Sequence, residues 1–187
     1  MEKIFVSASM LLQDSFRLAA KIYCNVFRPD FIVGIWRGGT PVGIAIQEYF
    51  DYAGVKTDHI AVRTSSYVAI GERSKTIRVY GLHYIIEKAS ADHSMLVVDD
   101  VFDSGLSIAA LLNELSDKML LRMPRTVRIA TPWYKPDSKK TELVPDYYLH
   151  ETDKWIVFPH ELSGLTLDEI KQGKMELQPL FDKFEID

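Results

Sequence analysis

Three carboxylates follow a short apolar run in the segment Val97–Ser107, which reads VVDDVFDSGLS. Ligands of α/β proteins bind at the carboxyl ends of the strands, where these carboxylates would lie. Asp99 and Asp100 can accept hydrogen bonds from sugar hydroxyls. The helix that follows would offer N–H groups to an anion, and its glycine would let a phosphate approach closely. The predicted phosphate-binding residues are Ser104, Gly105, Leu106 and Ser107. A phosphate cradle beside two acids predicts a site for ribose 5-phosphate.

The third carboxylate, Asp103, has a structural alternative, because an aspartate before a helix often caps it. A cap explains only one of the three acids. Three carboxylates after a buried strand would carry an electrostatic cost that a purely structural turn does not need. We therefore interpret Val97–Ser107 as a ligand site.

Short apolar runs alternate with helical patterns along the chain. The apolar runs are Phe31–Trp36, Met95–Val98 and Val127–Ala130, and the helical patterns are Ser9–Val26, Thr40–Tyr52 and Leu106–Lys118. Apolar runs without polar alternation are typical of strands covered on both faces, as in parallel sheets. The repeated order of strand and helix predicts an α/β fold.

Two regions depart from this alternation. The polar segment Ser65–Lys75 separates the β-like runs His59–Arg63 and Ile77–Tyr80, and its length predicts a lid. Near the C-terminus, Asp146–His150 and Trp155–Phe158 are predicted to form a small strand pair. The charged, amphipathic tail Thr166–Asp187 predicts a helix followed by a surface strap.

Composition narrows the class of protein. The 187 residues contain no repeat or low-complexity linker, so we predict a single domain over 1–187. The net charge of −4 disfavours a protein that binds nucleic acid mainly through phosphate contacts. Cys24 is the only cysteine, which excludes an internal disulfide and indicates a reducing compartment. No run of about 20 apolar residues is present, so we expect a soluble, cytoplasmic protein without a membrane span.

The segment Val97–Ser107 resembles the phosphoribosyl pyrophosphate (PRPP) motif of the type I phosphoribosyltransferases. Arg37, Gly38 and Gly39 follow the first central strand and are similar to the family's pyrophosphate-binding loop. The resemblance implies a type I phosphoribosyltransferase fold, with a mostly parallel sheet flanked by helices and a small C-terminal hood at about 131–187. It also implies a cis peptide bond between Trp36 and Arg37.

Further residues resemble the lid and the base-binding hood of the family. Ser66 and Tyr67 are similar to the Ser-Tyr pair of the catalytic lid, placed here at about 65–75. The segment Pro145–Glu161 is similar to the hood of the hypoxanthine, guanine and xanthine phosphoribosyltransferases. The resemblance implies that Trp155 stacks on a purine, whose exocyclic groups the backbone of Ile156 contacts.

The resemblance also implies roles for charged residues. Lys135 would face the purine 6-oxo group, and a lysine only donates hydrogen bonds, which favours a 6-oxopurine over adenine. Asp103 would be the base near purine N7, and Arg37 would face the leaving pyrophosphate. The implied Mg²⁺ ligands are Asp99, Asp100 and Glu161, and the implied catalytic residues are Asp103, Arg37, Ser66 and Tyr67.

The implied reaction converts PRPP and a 6-oxopurine into a purine nucleoside 5′-monophosphate and pyrophosphate, as in purine salvage. Members of the family are commonly dimers or tetramers, so the resemblance also implies a homo-oligomer. Two alternatives stay open. One is a PRPP-sensing regulator of the same fold, and the other is a phosphoribosyltransferase for another nucleobase. The order of preference among hypoxanthine, guanine and xanthine is not contained in the sequence.

Overall fold

A computed structural model describes residues 2–68 and 75–184 of the chain. Its strands are β1 (Lys3–Phe5), β2 (Phe31–Trp36), β3 (Asp58–Val68), β4 (Lys75–Tyr80), β5 (Ser94–Val98), β6 (Val101–Phe102), β7 (Thr126–Ala130), β8 (Trp133–Tyr134), β9 (His150–Glu151) and β10 (Trp155–Val157). Its helices are α1 (Ala8–Cys24), α2 (Gly39–Tyr52), α3 (His83–Lys88), α4 (Leu106–Met119), α5 (Leu167–Gly173) and α6 (Gln178–Phe184). Short 3₁₀ turns lie at Leu120–Arg122, Pro136–Ser138 and Met175–Leu177.

The main sheet has five strands in the order β4–β3–β2–β5–β7. All its neighbouring strands are parallel except the edge pair β3–β4, which confirms the predicted α/β fold with a mostly parallel sheet. From β2 the chain adds β3 and β4 on one side of the sheet and then β5 and β7 on the other side. The order in which strands are added therefore changes direction between β2 and β5. Such a switch point opens a crevice at the carboxyl ends of the strands, where open α/β sheets bind ligands.

Apolar side chains fix the strands that border this crevice. Every residue of β5 after Ser94 is buried, and β2 is buried up to Ile35. Helix α4 covers the sheet with an apolar stripe at helical spacing, formed by Ile108, Leu111, Leu115 and Met119. Full burial of one such aliphatic side chain contributes roughly 1.5–3 kcal/mol. The strand ends therefore emerge from a well-packed core.

The two described ends of the predicted lid segment belong to antiparallel strands. Strand β3 continues to Val68 and β4 begins at Lys75, with Ser66 paired to Ile77 and Tyr67 to Thr76. The polar composition of Ser65–Lys75 predicts a loop, but its first residues continue β3 because strand pairing is made by backbone groups. Residues 69–74 of the predicted lid lie outside the described residues.

The predicted pairing of Asp146–His150 with Trp155–Phe158 is wrong. Strand β9 pairs in parallel with β8, and β10 pairs in parallel with β1. Proximity in sequence favours a hairpin, but β9 pairs with the strand that precedes it and β10 pairs with a strand near the N-terminus. The tail beyond Thr166 also differs from the prediction, because a second short helix, α6, replaces the expected strap.

Contacts divide the chain into two compact units. The larger spans 12–153 and contains the main sheet, and the smaller combines 2–11 with 154–184. The predicted hood of about 131–187 is therefore divided, because its first part clusters with the sheet. In the smaller unit, a capping box between Thr166 and Glu169 starts α5. Within the described residues, no helix has the length and apolar character needed to cross a membrane.

Candidate active site

Two glycines after β2 meet two acids after β5. The residues Gly34 and Val98 are paired across these strands, so the chain that follows each strand emerges side by side. A Cβ at Gly38 would overlap the Asp100 carboxylate, and a Cβ at Gly39 would overlap the Val98 carbonyl oxygen. At Gly39 the overlap is with backbone that cannot move aside, so only glycine allows the approach there. The Trp36–Arg37 peptide bond that precedes the glycines is cis, which confirms the expectation.

The paired acids lie in an electrostatically unfavourable place. Burial and the neighbouring Asp100 raise the pKa of Asp99 well above its ordinary value. The Asp100 N–H donates to Asp99 Oδ1 at 3.0 Å, and this hydrogen bond acts in the opposite direction on that pKa. Cations or hydroxyl donors from a ligand would relieve the repulsion.

The donor set suits a hard cation that is shared with a substrate. Carboxylate oxygens are the ligands that Mg²⁺ prefers, and it usually keeps waters or substrate phosphates in its remaining positions. Among the described residues, no group of three or more histidine, cysteine, aspartate or glutamate side chains forms a complete metal cage. The carboxylates of Asp99 and Asp100 are of the chemical type that would bind Mg²⁺, and substrate phosphates or waters would supply its other ligands.

A cavity of about 180 Å³ lies between the end of β5 and the start of α4. It is lined by Asp99, Val101, Phe102, Asp103, Ser104, Gly105, Ser107 and Ile108. Gly105, with φ +75°, immediately precedes the helix, and a Cβ there would overlap the Phe102 ring and Thr141 Oγ1. The first N–H groups of α4 have no partner within the helix, as at any helix start, and can bind an anion. The cavity thus brings together five of the predicted site residues, and Leu106 begins the helix beside them.

Lys135 lies next to Asp103, although about 30 positions separate them in the sequence. Strands β6 and β8 are parallel, with Phe102 opposite Tyr134. Asp103 and Lys135, the residues that directly follow these strands, therefore lie side by side. The Lys135 N–H donates to the Phe102 carbonyl at 2.9 Å, which fixes the backbone. Its Nζ lies 3.8 Å from Asp103 Oδ2, and the side chains are 14% and 53% exposed. The mostly buried Lys135 side chain therefore faces the accessible Asp103 carboxylate, which lines the cavity.

The remaining predicted residues lie on other elements. Trp155, Ile156 and Glu161 belong to the smaller unit, and their position relative to the cavity stays a prediction. Ser66 is an exposed residue of β3, and the side chain of Tyr67 lies outside what the structure describes. The sheet geometry therefore brings together the predicted PRPP and pyrophosphate residues, whereas the lid and base-stacking roles stay predictions.

Thr141 was not identified from the sequence. Its Oγ1 is buried, has no hydrogen-bond partner among the described residues and lies against Gly105. The neighbouring Lys140 N–H donates to the Ser104 carbonyl at 2.9 Å, so this segment supports the turn before α4. Nothing in the local sequence distinguishes this threonine from other polar loop residues.

The chain belongs to the phosphoribosyl transferase domain family, whose model matches residues 7–165. A purine phosphoribosyltransferase from Pyrococcus horikoshii Ot3 has a TM-score of 0.70 at 24% identity, over 89% of this chain and 98% of that chain. A xanthine-guanine-hypoxanthine phosphoribosyltransferase from Helicobacter pylori has a TM-score of 0.68 at 22% identity, over 91% and 99% of the two chains. A hypothetical protein from Neisseria gonorrhoeae with bound ppGpp has a TM-score of 0.72 at 23% identity, over 94% and 97%. These structures establish the type I phosphoribosyltransferase fold. No curated protein matches the chain significantly.

Proposed function

We propose that the protein transfers the 5-phosphoribosyl group from PRPP to a 6-oxopurine, giving a purine nucleoside 5′-monophosphate and pyrophosphate. The observation that carries the proposal is the cavity after β5, which Asp99 and Asp103 line, with Lys135 Nζ 3.8 Å from Asp103 Oδ2. Membership of the phosphoribosyltransferase family supports the transfer chemistry. The two purine enzymes of the same fold support a purine as the acceptor.

Each part of PRPP has a matching group of residues. The turn and helix start at Ser104–Ser107 suit the 5-phosphate, because Ser104, Gly105 and Ser107 line the cavity at the start of a helix, where N–H groups can bind an anion. Asp99 and Asp100 suit the ribose hydroxyls, and Arg37 with the N–H groups of Gly38 and Gly39 suits pyrophosphate. Mg²⁺ held by Asp99 and Asp100, with a second ion at Glu161, would neutralise charge on the pyrophosphate.

The acceptor base would meet the opposite charges of Lys135 and Asp103. The Lys135 ammonium donates to the 6-oxo oxygen, and the Asp103 carboxylate accepts the proton from N7 as the new glycosidic bond forms. Displacement at the anomeric carbon passes through an oxocarbenium-like state, as in other glycosyl transfers. In the same proposal, Trp155 stacks on the purine while the Ile156 backbone contacts it.

Water must be excluded while the sugar is cationic, because water would compete with the base. The hairpin that carries Ser66 and Tyr67 is the proposed lid for this step. The strands β3 and β4 form its two arms. We place the protein in the cytoplasm, because its single cysteine suits a reducing compartment. The family resemblance supports a homo-oligomer of two or four copies.

A binding role is the second candidate. The gonococcal protein of the same fold was crystallised with bound ppGpp, so a phosphate-rich nucleotide is a ligand that this fold accepts. A PRPP-sensing regulator would use the same cavity without turnover. A phosphoribosyltransferase for adenine or a pyrimidine would keep the PRPP site but not the proposed role of Lys135.

A base panel separates these possibilities. Purified protein, Mg²⁺ and PRPP are mixed with hypoxanthine, guanine, xanthine, adenine, uracil or orotate, and nucleotide formation is followed. We expect turnover with at least one 6-oxopurine and none with the other bases. Turnover only with adenine or a pyrimidine would refute the proposed acceptor. PRPP binding without turnover of any base would favour the regulator.

A further inference from the structure

A buried lysine directly follows helix α5. Lys174 is only 2% exposed, and its Nζ donates to the Phe158 carbonyl at 2.6 Å and to the Pro159 carbonyl at 3.1 Å. Burial lowers its pKa, while Glu176 and Glu161 act in the opposite direction. A buried lysine is costly unless its ammonium group forms hydrogen bonds. The two carbonyls provide these hydrogen bonds for Lys174. Lys174 therefore ties the end of α5 to the segment after β10.

The segment that Lys174 holds is a closed turn. The Glu161 N–H donates to the Phe158 carbonyl at 3.0 Å, and the Phe158 N–H donates to Glu161 Oε2 at 3.1 Å. The Phe158 carbonyl thus accepts from both Glu161 and Lys174. The turn begins immediately after β10, which carries Trp155 and Ile156. A shift of Phe158 would consequently move the residues proposed to contact the purine.

The first turn of α5 holds the other end of the same segment. Glu169 Oε1 lies 2.6 Å from Lys3 Nζ, and Lys3 Nζ lies 5.1 Å from the centroid of the Trp155 ring. A cation over an aromatic face favours one orientation of the ring. Strand β1, which contains Lys3, also pairs with β10. Trp155 remains 44% exposed, so part of its surface is available to a ligand.

We infer that α5 is the scaffold of the base-binding segment 155–161 and that Lys174 is a positioning residue for purine recognition. The inference rests on the proposed function, because it assumes that Trp155 and Ile156 contact the base. Lys174 lies beyond residues 7–165, the part of the chain that matches the family model. The scaffold is thus supplied by this chain's own tail.

The test compares Lys174→Met with Lys171→Met in the full chain. Methionine keeps most of the apolar stem at position 174 but removes the donor from both carbonyls. Lys171 lies on the same helix and is exposed, so its replacement controls for the loss of one charge. Steady-state rates give KM for the preferred purine and for PRPP, and hydrogen exchange of the peptide covering 155–161 reports on the turn.

We expect Lys174→Met to raise the purine KM roughly tenfold or more, with the PRPP KM within about twofold of the wild-type value. Exchange in 155–161 should become faster, while exchange in 97–107 stays unchanged. Lys171→Met should match the wild-type protein in every measurement. If Lys174→Met does not fold, Lys174→Gln, which retains an amide NH₂ as a donor, should show the same selectivity for the purine KM to a smaller degree.

Other results would overturn the inference. Equal rises in the KM values for the purine and for PRPP would show that Lys174 supports the stability of the whole protein and not purine recognition. Unchanged hydrogen exchange together with an unchanged purine KM would show that the segment 155–161 does not depend on Lys174. Failure of the proposed function has a different signature, because the wild-type protein itself would then turn over no purine. In that case both the proposed function and the proposed role of Lys174 in purine recognition would be refuted.

Discussion

Replacing Gly105 by alanine tests the turn that starts α4. Gly105 has φ +75°, and the left-handed region costs an alanine about 1–2 kcal/mol. The new methyl group would also overlap the Phe102 ring and Thr141 Oγ1, and such overpacking costs a further 1–3 kcal/mol or so. We therefore expect Gly105→Ala to lower the free energy of unfolding by about 2–5 kcal/mol.

Gly54→Ala is the matched control for this prediction. Gly54 has nearly the same backbone conformation, with φ +77°, but no atom lies within 4 Å of the position that its Cβ would occupy. Its replacement should cost only the conformational part, about 1–2 kcal/mol. The difference between the two variants isolates the overlap with Phe102 and Thr141.

The assay is urea unfolding followed by far-UV circular dichroism, with the slope m checked for each variant. PRPP binding by calorimetry is measured on the same samples. Gly105→Ala should weaken PRPP binding at least about tenfold, because the phosphate-binding turn must shift, whereas Gly54→Ala should leave it unchanged. Equal losses of stability in the two variants would refute the steric argument at Gly105.

Three further substitutions test the proposed chemistry. Asp103→Asn should lower kcat by roughly 100-fold or more while PRPP binding is retained, because the amide cannot accept the N7 proton, and unchanged turnover would remove Asp103 from that role. Lys135→Met should raise the 6-oxopurine KM about tenfold, since the donor to the 6-oxo group is lost, whereas the exposed Lys56→Met should have no effect. Trp155→Ala should weaken purine binding more than PRPP binding when both are measured by calorimetry, and an equal loss of both would place Trp155 outside the base site.

The residues of the PRPP motif could be predicted because their chemistry is local. In Val97–Ser107, a strand, its terminal acids, a glycine turn and a helix start follow one another directly, so the sequence order is also the spatial order. Strands β2 and β5 could also be predicted. They are covered on both faces, so their sequences are continuous apolar runs.

Contacts that depend on strand order could not be predicted in the same way. The approach of Gly38 to Asp100 requires β2 beside β5, and the approach of Lys135 to Asp103 requires β6 beside β8. The wrong hairpin near the C-terminus has the same origin, because the correct partner of β10 is a three-residue strand near the N-terminus. A pattern that short carries too little periodicity to be recognised from sequence.

The pairing of β2 with β5 also determines when the site can exist during folding. Phe31 pairs with Met95 in parallel, across a long intervening stretch that contains the whole β3–β4 hairpin. Closing such a large loop is entropically costly and is typical of slow, late events in folding. Before that closure, the glycines after β2 and the acids after β5 are far apart and cannot bind the same ligand. Substrate would therefore bind only molecules in which the sheet is complete. Its binding would stabilise the entire larger unit against unfolding.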